Sequence, residues 1–504
     1  MKQKLKAEPP PSHFRRGAGG EANLEQNDPA SYKEWKFRGL HQKQLLFFIF
    51  AFFLSLCLNA QRPIQKTCKL KISDNKRFIT TENGDPFFWL GDTGWLLFAK
   101  LNREEAEKYL EDRRQKGFNV IQVMILHNVK GAVNAYGDSA LIGNNVATPK
   151  ITEGNDYTNP TQYDFWDHVD YIIDKAAEKG LYMALVPVWG TNVKSGWVTR
   201  DQAKTYATFL AKRYKNKKNI IWVNGGDIKG SDSTEIWKTI GNTLKANDPD
   251  HLITFHPFGR HTSSIWFHKE SWLDFNMFQS GHRDYAQDTA KGELHYGQDN
   301  WKFLIHDFAL TPAKPALDGE PSYEKIPHGL HDTLQPYWTE NDVRRFGYWS
   351  VLAGACGFTY GHNSVMQFHK PTDKNGSYGP KNYWFEAIND PGAKQIGYLK
   401  NLILSKPYFE RVPDQSIIAE QGNRYDYQAA TRGTDYAFIY TYNARKITIN
   451  MGKIAGAKVK ASWYSPRDGS IIKIGDFKNS GVTEFNPPGE KKDGNDWVLI
   501  LDKI

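Results

Sequence analysis

The sequence predicts an α/β protein: a (β/α)8 TIM barrel followed by a small all-β sandwich domain. Three observations carry this. From about residue 85, short apolar runs alternate eight times with helix-like segments, the pattern of parallel strands joined by crossover helices. Eight alternations over about 320 residues suit a barrel with insertions, for which ~250 is typical. Past Pro413 the alternation gives way to short strands separated by Gly, Asn, Asp and Pro, as in an all-β module. An open doubly wound sheet would instead carry a glycine-rich phosphate loop after its first strand. Gly91-Asp-Thr-Gly94 lacks that spacing.

Ahead of the barrel, residues 1–60 read as a leader. Residues 1–39 are polar and hold Pro9-Pro-Pro11 and Gly17-Ala-Gly-Gly20. An apolar run over 45–58 follows, with Arg38 and Lys43 before it and Asn59-Ala-Gln61 after it. This matches a secretory signal peptide cut after Ala60, and the run is shorter than the ~20 residues that span a bilayer. The expected address is export to the periplasm or cell surface, with no stable membrane insertion after cleavage; a retained anchor is the alternative. The leader is long for a signal peptide, as it would be if translation began within it. Beyond it only Cys68 and Cys356 remain, too few and too far apart for a disulfide framework or a cysteine metal site.

Residues 61–84 contain strand-like pieces at 68–72 and 78–80, which pair with the C-terminal module or cap the barrel floor. The barrel is expected over 85–410. Its first strand, 87–90, ends in Gly91-Asp-Thr-Gly94. Residues 102–117 form a helix, with Asn102 as cap, Glu104 and Glu105 in the first turn and Gly117 as stop. Strand 120–126 ends in His127-Asn128 and opens a long excursion, 129–162, of the kind that is usually functional or inserted. Helix 163–180, strand 182–188, helix 199–214 and strand 220–223 follow. Helix 235–246, strand 252–255, a weak helix near 263–272 and strand 275–278 come next. Helix 300–310, strand 315–317, helix 340–355 and strand 357–360 complete the eight, and a helix near 394–404 closes the domain. Residues 411–504 form the second domain, with strands at 416–419, 436–442, 446–451, 461–464, 471–474 and 497–501. Of these, 436–442 is almost continuously apolar or aromatic, as a central strand would be.

The formal charge of +9 is modest for 504 residues, and nine Lys and Arg against five Asp and Glu in residues 1–60 supply +4 of it. No basic cluster interleaved with aromatics is present, so nucleic-acid binding is not supported. The 16 Trp, 25 Tyr and 29 Phe tilt the expectation towards carbohydrate, because aromatic faces grip sugars.

In a barrel the site lies at the C-terminal strand ends. Those ends carry Asp92, His127-Asn128, Trp189, Asn224 with Asp227, His256, Gln279 with His282, Glu320 and His362. Asp227 and Glu320, on strands four and seven, face each other across the mouth. Glycoside hydrolysis needs two carboxyls flanking the scissile bond, one a proton donor and the other a nucleophile or base. Asp227 could alternatively cap the next helix, whereas Glu320, between Gly319 and Pro321, has little capping use. Asp318 reads as structural, ionised and hydrogen-bonded. Asp92 suits a turn as well as substrate. Trp95 and Trp189 are core or sugar-stacking residues. His127, His256, His282 and His362 lack the tight spacing of a metal set and are assigned to hydroxyls. No metal or cofactor is expected. Tyr323, just past Glu320, joins the candidate substrate-binding residues, and Asn224 is a candidate for holding a sugar hydroxyl or the nucleophile beside it.

Several stretches resemble glycoside hydrolase family 140, the apiosidase-like family. They are Phe88-Trp-Leu-Gly-Asp-Thr-Gly-Trp95, Gly117-Phe-Asn-Val120, Trp222-Val-Asn-Gly-Gly-Asp227 and Asp318-Gly-Glu-Pro321. Trp463-Tyr-Ser-Pro-Arg-Asp-Gly469 is similar to the module, named for collagen binding, that accompanies this barrel. The likeness covers roughly residues 70–504. It implies a retaining, endo-acting glycosidase of the clan A layout that cleaves at apiose in pectin, in rhamnogalacturonan II side chains. It also implies Asp227 as acid/base and Glu320 as nucleophile. The expected partner is then a plant cell-wall oligosaccharide or polysaccharide. Other expectations stay open: a retaining glycosidase of another plant-polysaccharide specificity, a non-catalytic carbohydrate-binding or adhesin protein on a barrel scaffold, and a metal-dependent hydrolase. For the C-terminal module, bracing of the barrel is the default.

Overall fold

The computed structural model describes residues 66–289 and 296–504; the expected leader and its cleavage point lie outside them. Eight parallel strands form the barrel: β1 (Trp89–Thr93), β2 (Val120–Leu126), β3 (Tyr182–Val188), β4 (Ile220–Ile228), β5 (Ile253–Pro257), β6 (Asn276–Gln279), β7 (Ala316–Asp318) and β8 (Gly357–Tyr360). They lie in the order β5-β4-β3-β2-β1-β8-β7-β6, and a two-residue strand, His261–Thr262, adds antiparallel to the free edge of β6. β5 and β6 share no ladder. Their seam is closed by Asp274 N donating to Ile253 O and Ile253 N to the Asp274 carboxylate (both 2.8 Å), and by Thr254 Oγ1 donating to Phe275 O (2.7 Å). The barrel is therefore nearly closed. Every residue of β2 and β3 is buried, which is why both read as unbroken apolar runs instead of alternating ones.

The helix after β1, Arg103–Gln115, starts where its cap predicts. The Asn102 side chain accepts from Glu105 N (2.9 Å) and the Glu105 carboxylate accepts from Asn102 N (3.0 Å), a reciprocal capping box. Two strands run further than expected. β1 absorbs Gly91-Asp-Thr93, and β4 continues through Asn224-Gly-Gly-Asp227 to Ile228.

Three short strands, Leu70–Ile72, Ile79–Thr81 and Pro86–Phe87, form a separate antiparallel sheet at the barrel floor. Tyr182, the first residue of β3, ties this segment down by donating to Cys68 O (2.7 Å) and packing against Phe87. Phe78 packs on Tyr408. Beyond the last barrel helix, Pro391–Leu404, a six-stranded antiparallel sheet is built from Val412–Pro413, Gln428–Arg432, Tyr436–Thr441, Trp497–Lys503, Lys458–Tyr464 and Ile471–Lys478, in that order. The pair Ile447–Asn450 and Val482–Phe485 lies apart from it. Tyr436–Thr441 is central and wholly buried. Residues 416–419 do not make the expected strand; the first two belong to a 3-10 turn, Gln415–Ile417, capped by the Asp414 side chain, and Ile418 makes a single bridge to Ile449.

The module packs on helix Glu340–Leu352 and its neighbours. Arg344 donates to both oxygens of buried Asp496 at 2.9 Å. Tyr348 stacks on Tyr440 (4.8 Å between ring centres) and Trp301 on Tyr427 (4.0 Å). Among the described residues no helix is long and apolar enough to cross a membrane.

Candidate active site

The tip of β4 is shaped by two glycines. The β4–β5 register runs to Gly225 opposite His256 and resumes at Ile228 opposite Pro257, so Gly226 and Asp227 bulge out without partners. Gly225, Gly226 and Asp227 take φ of +92°, +104° and +46°, left-handed values that glycine adopts freely and other residues rarely. Space adds to the requirement. A Cβ at Gly225 would lie 2.6 Å from His256 O, and one at Gly226 would lie 2.4 Å from the Trp189 ring. A bulge bends a strand and re-aims its side chains; here it delivers Asp227 to the barrel mouth. Asp227 is not a helix cap: the next helix, Thr234–Asn247, starts well beyond it.

Glu320 follows the short strand β7. Gly319 leaves no room for a side chain, since its Cβ would meet Met277 Sδ at 2.4 Å. Gly319 N donates to Phe278 O (2.8 Å), and Gln122 Nε2, from inside the barrel, donates to Gly319 O (2.8 Å). The carboxylate is gripped from both sides. His282 Nε2 donates to Oε1 at 3.0 Å, and His256 Nε2 makes an ion-pair contact with Oε2 at 3.0 Å, too oblique for a straight hydrogen bond. Trp95 Nε1 donates to the Tyr323 hydroxyl (3.1 Å), and the Tyr323 ring packs edge-on against His282.

Asp227 and Glu320 differ sharply in proton affinity. Burial pushes Asp227 up, the Glu320 charge adds to that, and its carboxyl rises to about 7. Burial acts on Glu320 in the same direction, but the close His256 and His282 imidazoles outweigh it and draw it down to about 2. For His256, burial opposes the charged form, and the contact with the Glu320 carboxylate reverses that, raising it. One carboxyl is thus arranged to hold a proton and the other to stay ionised.

The two acids line a cavity of about 150 Å³ with Trp95, His127, Trp189, Gln279, His282 and Tyr323. At ~30 Å³ per water that is room for about five waters, the scale of a single sugar ring. Trp95, Trp189 and His256 pack against one another, with ring centres 5.2–5.7 Å apart. Leu96, Met124, Ile326, Leu330, Met366, Gln367, Ser377 and Tyr378 complete the wall; the sequence reading passed over all of them. Met124 carried a usable signal. It shares the inward face of β2 with Gln122, the one polar residue in that run. The others sit on loops after β1, β7 and β8, where no periodicity marks them.

Four expected substrate residues are placed elsewhere. Asp92 is fully buried inside β1 and faces outward, accepting from Arg113 Nε and the Tyr109 hydroxyl (both 2.6 Å) of helix Arg103–Gln115. Asn224 also turns out of the barrel, donating to Trp237 O (2.8 Å). His362 is buried against Asp390 (2.8 Å) and accepts from Ser364 N (3.0 Å) as the cap of a short helix. Asn128 is exposed and off the cavity wall, whereas its neighbour His127 lines it. Side chains alternate along a strand, so position at a strand end does not by itself aim a residue inward. Asp318 accepts from Ser280 Oγ (2.7 Å) and Asn300 (3.1 Å), as a structural residue would. Burial pushes its carboxyl up to about 7, so the expected ionised form is held less firmly than in a free aspartate.

The histidines are expected to bind hydroxyls; His256 and His282 instead converge on Glu320. One ligand atom each from Asp227, His256 and Glu320 lies within 4.8 Å of the others, so these three could hold a cation. The alternative occupant of the same space is the proton shared among them.

Residues 73–410 match the family described as "Apiosidase-like, catalytic domain". Residues 412–502 match the "Putative collagen-binding domain of a collagenase". A solved structure titled "Glycoside hydrolase" is 50% identical and superposes with a TM-score of 0.80, covering 86% of this chain and 97% of its own. A glycoside hydrolase family 5 structure from Bacteroides vulgatus ATCC 8482 is 46% identical, with a TM-score of 0.80 over 86% of this chain and 94% of its own. No curated protein sequence matches the chain significantly. With a catalytic-domain match spanning most of its length, and two such relatives aligned along nearly the whole described chain, this protein belongs to the apiosidase-like glycoside hydrolases.

Proposed function

We propose that the chain is an exported retaining glycosidase that removes apiose-linked side-chain fragments from pectin, in rhamnogalacturonan II, by double displacement. The observation that carries the mechanism is the spacing of its acids: a carboxyl oxygen of Asp227 and one of Glu320 lie within 4.8 Å. Retaining enzymes hold the two carboxyls ~5–5.5 Å apart, whereas inverting enzymes separate them by about 6.5–9.5 Å to admit a water. The opposite proton affinities of the pair assign the roles. Ionised Glu320 attacks the anomeric carbon, and protonated Asp227 gives its proton to the departing oxygen. A glycosyl ester on Glu320 results. Asp227, now ionised, takes a proton from water, which displaces Glu320 and restores both groups.

Trp95 and Trp189 supply apolar faces for the sugar ring, and His127 and Gln279 supply polar contacts at the rim. The proposal of apiose and pectin rests on membership in the apiosidase-like family, and that of export on the apolar run and the small Ala60 before Gln61. A metal-assisted reaction on Asp227, His256 and Glu320 is the second reading, favoured by the convergence of these three groups; turnover that survives a chelator removes it. The test is to incubate the full-length protein with rhamnogalacturonan II oligosaccharides and follow the first-formed anomer by NMR. Retention is expected, with turnover abolished in Glu320→Gln. Inversion, or unchanged turnover in Glu320→Gln, would sink the reading.

A further inference from the structure

The C-terminal module touches the barrel in two different ways. Its main face packs on helix Glu340–Leu352 through Asp496 and Tyr440, contacts that suffice to brace a barrel. A second contact is made by a turn that precedes the sheet strand Gln428–Arg432. There Arg424, exposed and at φ +52°, lies over the Tyr285 ring at 5.0 Å. Tyr425 packs edge-on against the same ring (5.5 Å) and shares a hydrogen bond with Gln298 (3.3 Å). Tyr425 also meets Arg345 (5.2 Å) and Tyr442 (5.6 Å) at the edge of the core, whereas Arg424 stays exposed.

Tyr285 belongs to the loop after β6, three residues beyond His282, and donates to Asp299 (2.6 Å). The next contacts lead inward. Asp284 meets His328 Nδ1 at 3.1 Å, and Gln287 Nε2 donates to His328 O at 3.1 Å. His328 stacks on Trp338 with ring centres 3.9 Å apart. Trp338 Nε1 and Gly329 N then both donate to the His282 carbonyl, at 3.1 and 2.8 Å. His282 is the residue whose imidazole holds Glu320.

We infer that the Arg424–Tyr425 turn is a positioning element of the active site, setting through Tyr285 and the His328–Trp338 stack the orientation in which His282 holds Glu320. This rests on the reading of Glu320 as the nucleophile. The module is then a working part of the enzyme and not a brace alone. Loosening the turn lets His282 drift from Glu320 without removing any group that touches substrate. The hydrogen bond that keeps Glu320 ionised weakens, and its carboxyl moves back up.

The experiment uses the full-length chain with Arg424→Ala, Tyr425→Ala and Tyr425→Phe. Two readouts are taken: kcat and KM against pH on rhamnogalacturonan II oligosaccharides, and the His282 ring chemical shifts by NMR at one pH, which need no turnover and report the position of the ring. For both alanine variants the expected result is a kcat lower by about tenfold, KM within about twofold, and an acid limb about one pH unit higher. The His282 ring resonances move with them, and Tyr425→Phe, which keeps the ring on Tyr285, restores the wild-type values. If Tyr425→Ala fails to fold, Arg424→Ala decides, because its side chain is exposed. Wild-type kcat and unmoved His282 ring resonances in a folded Arg424→Ala overturn the inference. Turnover surviving in Glu320→Gln removes the underlying reading instead, so the two failures are told apart.

Discussion

Replacing Gly226 by alanine adds a single methyl group, and the structure specifies where it must go. The new Cβ would sit 2.4 Å from the Trp189 ring. That ring cannot retreat freely, because it is packed against Trp95 (5.2 Å) and His256 (5.7 Å). The backbone at φ +104° is a second obstacle, costing roughly 1–3 kcal/mol for a residue with a side chain. Overpacking adds about 1–3 kcal/mol, so a total loss of about 2–6 kcal/mol is expected if the bulge stays where it is. The alternative is that the bulge shifts and carries Asp227 with it, and a misplacement of about 1 Å costs on the order of 100-fold in rate. Urea unfolding and kcat/KM per folded molecule measure the two effects separately. Ile221→Ala is the control: Ile221 is fully buried on the same strand and its truncation costs about 2–5 kcal/mol without touching the bulge. Gly226→Ala should lose both stability and kcat/KM, while Ile221→Ala loses stability alone. Full activity in folded Gly226→Ala, or an equal activity loss in Ile221→Ala, would refute the idea that the two glycines aim Asp227.

Three further outcomes follow from the same contacts. The pH profile of kcat/KM should be bell-shaped, because turnover needs Glu320 ionised and Asp227 protonated. Activity falls as pH rises through about 7, where Asp227 loses its proton, and initial rates across the range check it; a flat profile above neutrality would contradict the assignment. Arg344→Ala removes the two-pronged partner of buried Asp496, leaving it Arg467 at 3.4 Å and the Tyr440 hydroxyl at 3.1 Å, and should cost about 3 kcal/mol, the low end for breaking a buried pair, in urea unfolding. Asp307 is buried beneath Thr262 and Ser264, and burial raises its carboxyl to about 7. A raised carboxyl means that the folded state keeps a proton the unfolded chain has lost, so its contribution to stability declines as pH rises towards about 7. Asp307→Asn should therefore lose less stability than wild type between mildly acidic and mildly alkaline pH, by a few kcal/mol, as read from unfolding at each pH.

The eight barrel strands were legible because burial on both faces makes them short apolar runs, and crossover helices separate them at regular intervals. Strand ends were less legible. β1 and β4 continue through glycines that read as turns, because a bulge looks in sequence like a break. The same ambiguity left Asp227 open to a capping role, which only the continuation of β4 to Ile228 removes. Asp92 and Asn224 show what an inventory of strand ends cannot supply: each faces a helix, a matter of strand parity that a bulge or a one-residue shift reverses. His256 and His282 lie far apart along the chain, and nothing local in the sequence announces that β5 and the loop after β6 bring both to Glu320. Tyr378 and Leu330 reach the cavity from irregular loops and were out of reach of any periodicity.

What distinguishes the two acids is not burial, which pushes both towards the neutral form, but what sits beside each. Glu320 has an imidazole on either oxygen, whereas Asp227 has a buried Oδ1 with no hydrogen-bond partner and the charge of Glu320 close by. A proton entering this pair therefore settles on Asp227. The arrangement also suits the second half of the proposed reaction. Once Glu320 is esterified to the sugar its charge is gone, and with it the repulsion that held the proton on Asp227. The newly ionised Asp227 is then stable enough to persist until water arrives, and basic enough in its buried setting to take the proton. When water releases Glu320 the charge returns and favours reprotonation of Asp227, so each displacement resets the acid for the next. His256 and His282 are what make this asymmetry possible, and a substitution at either should blur the division of labour between the carboxyls before it damages the fold.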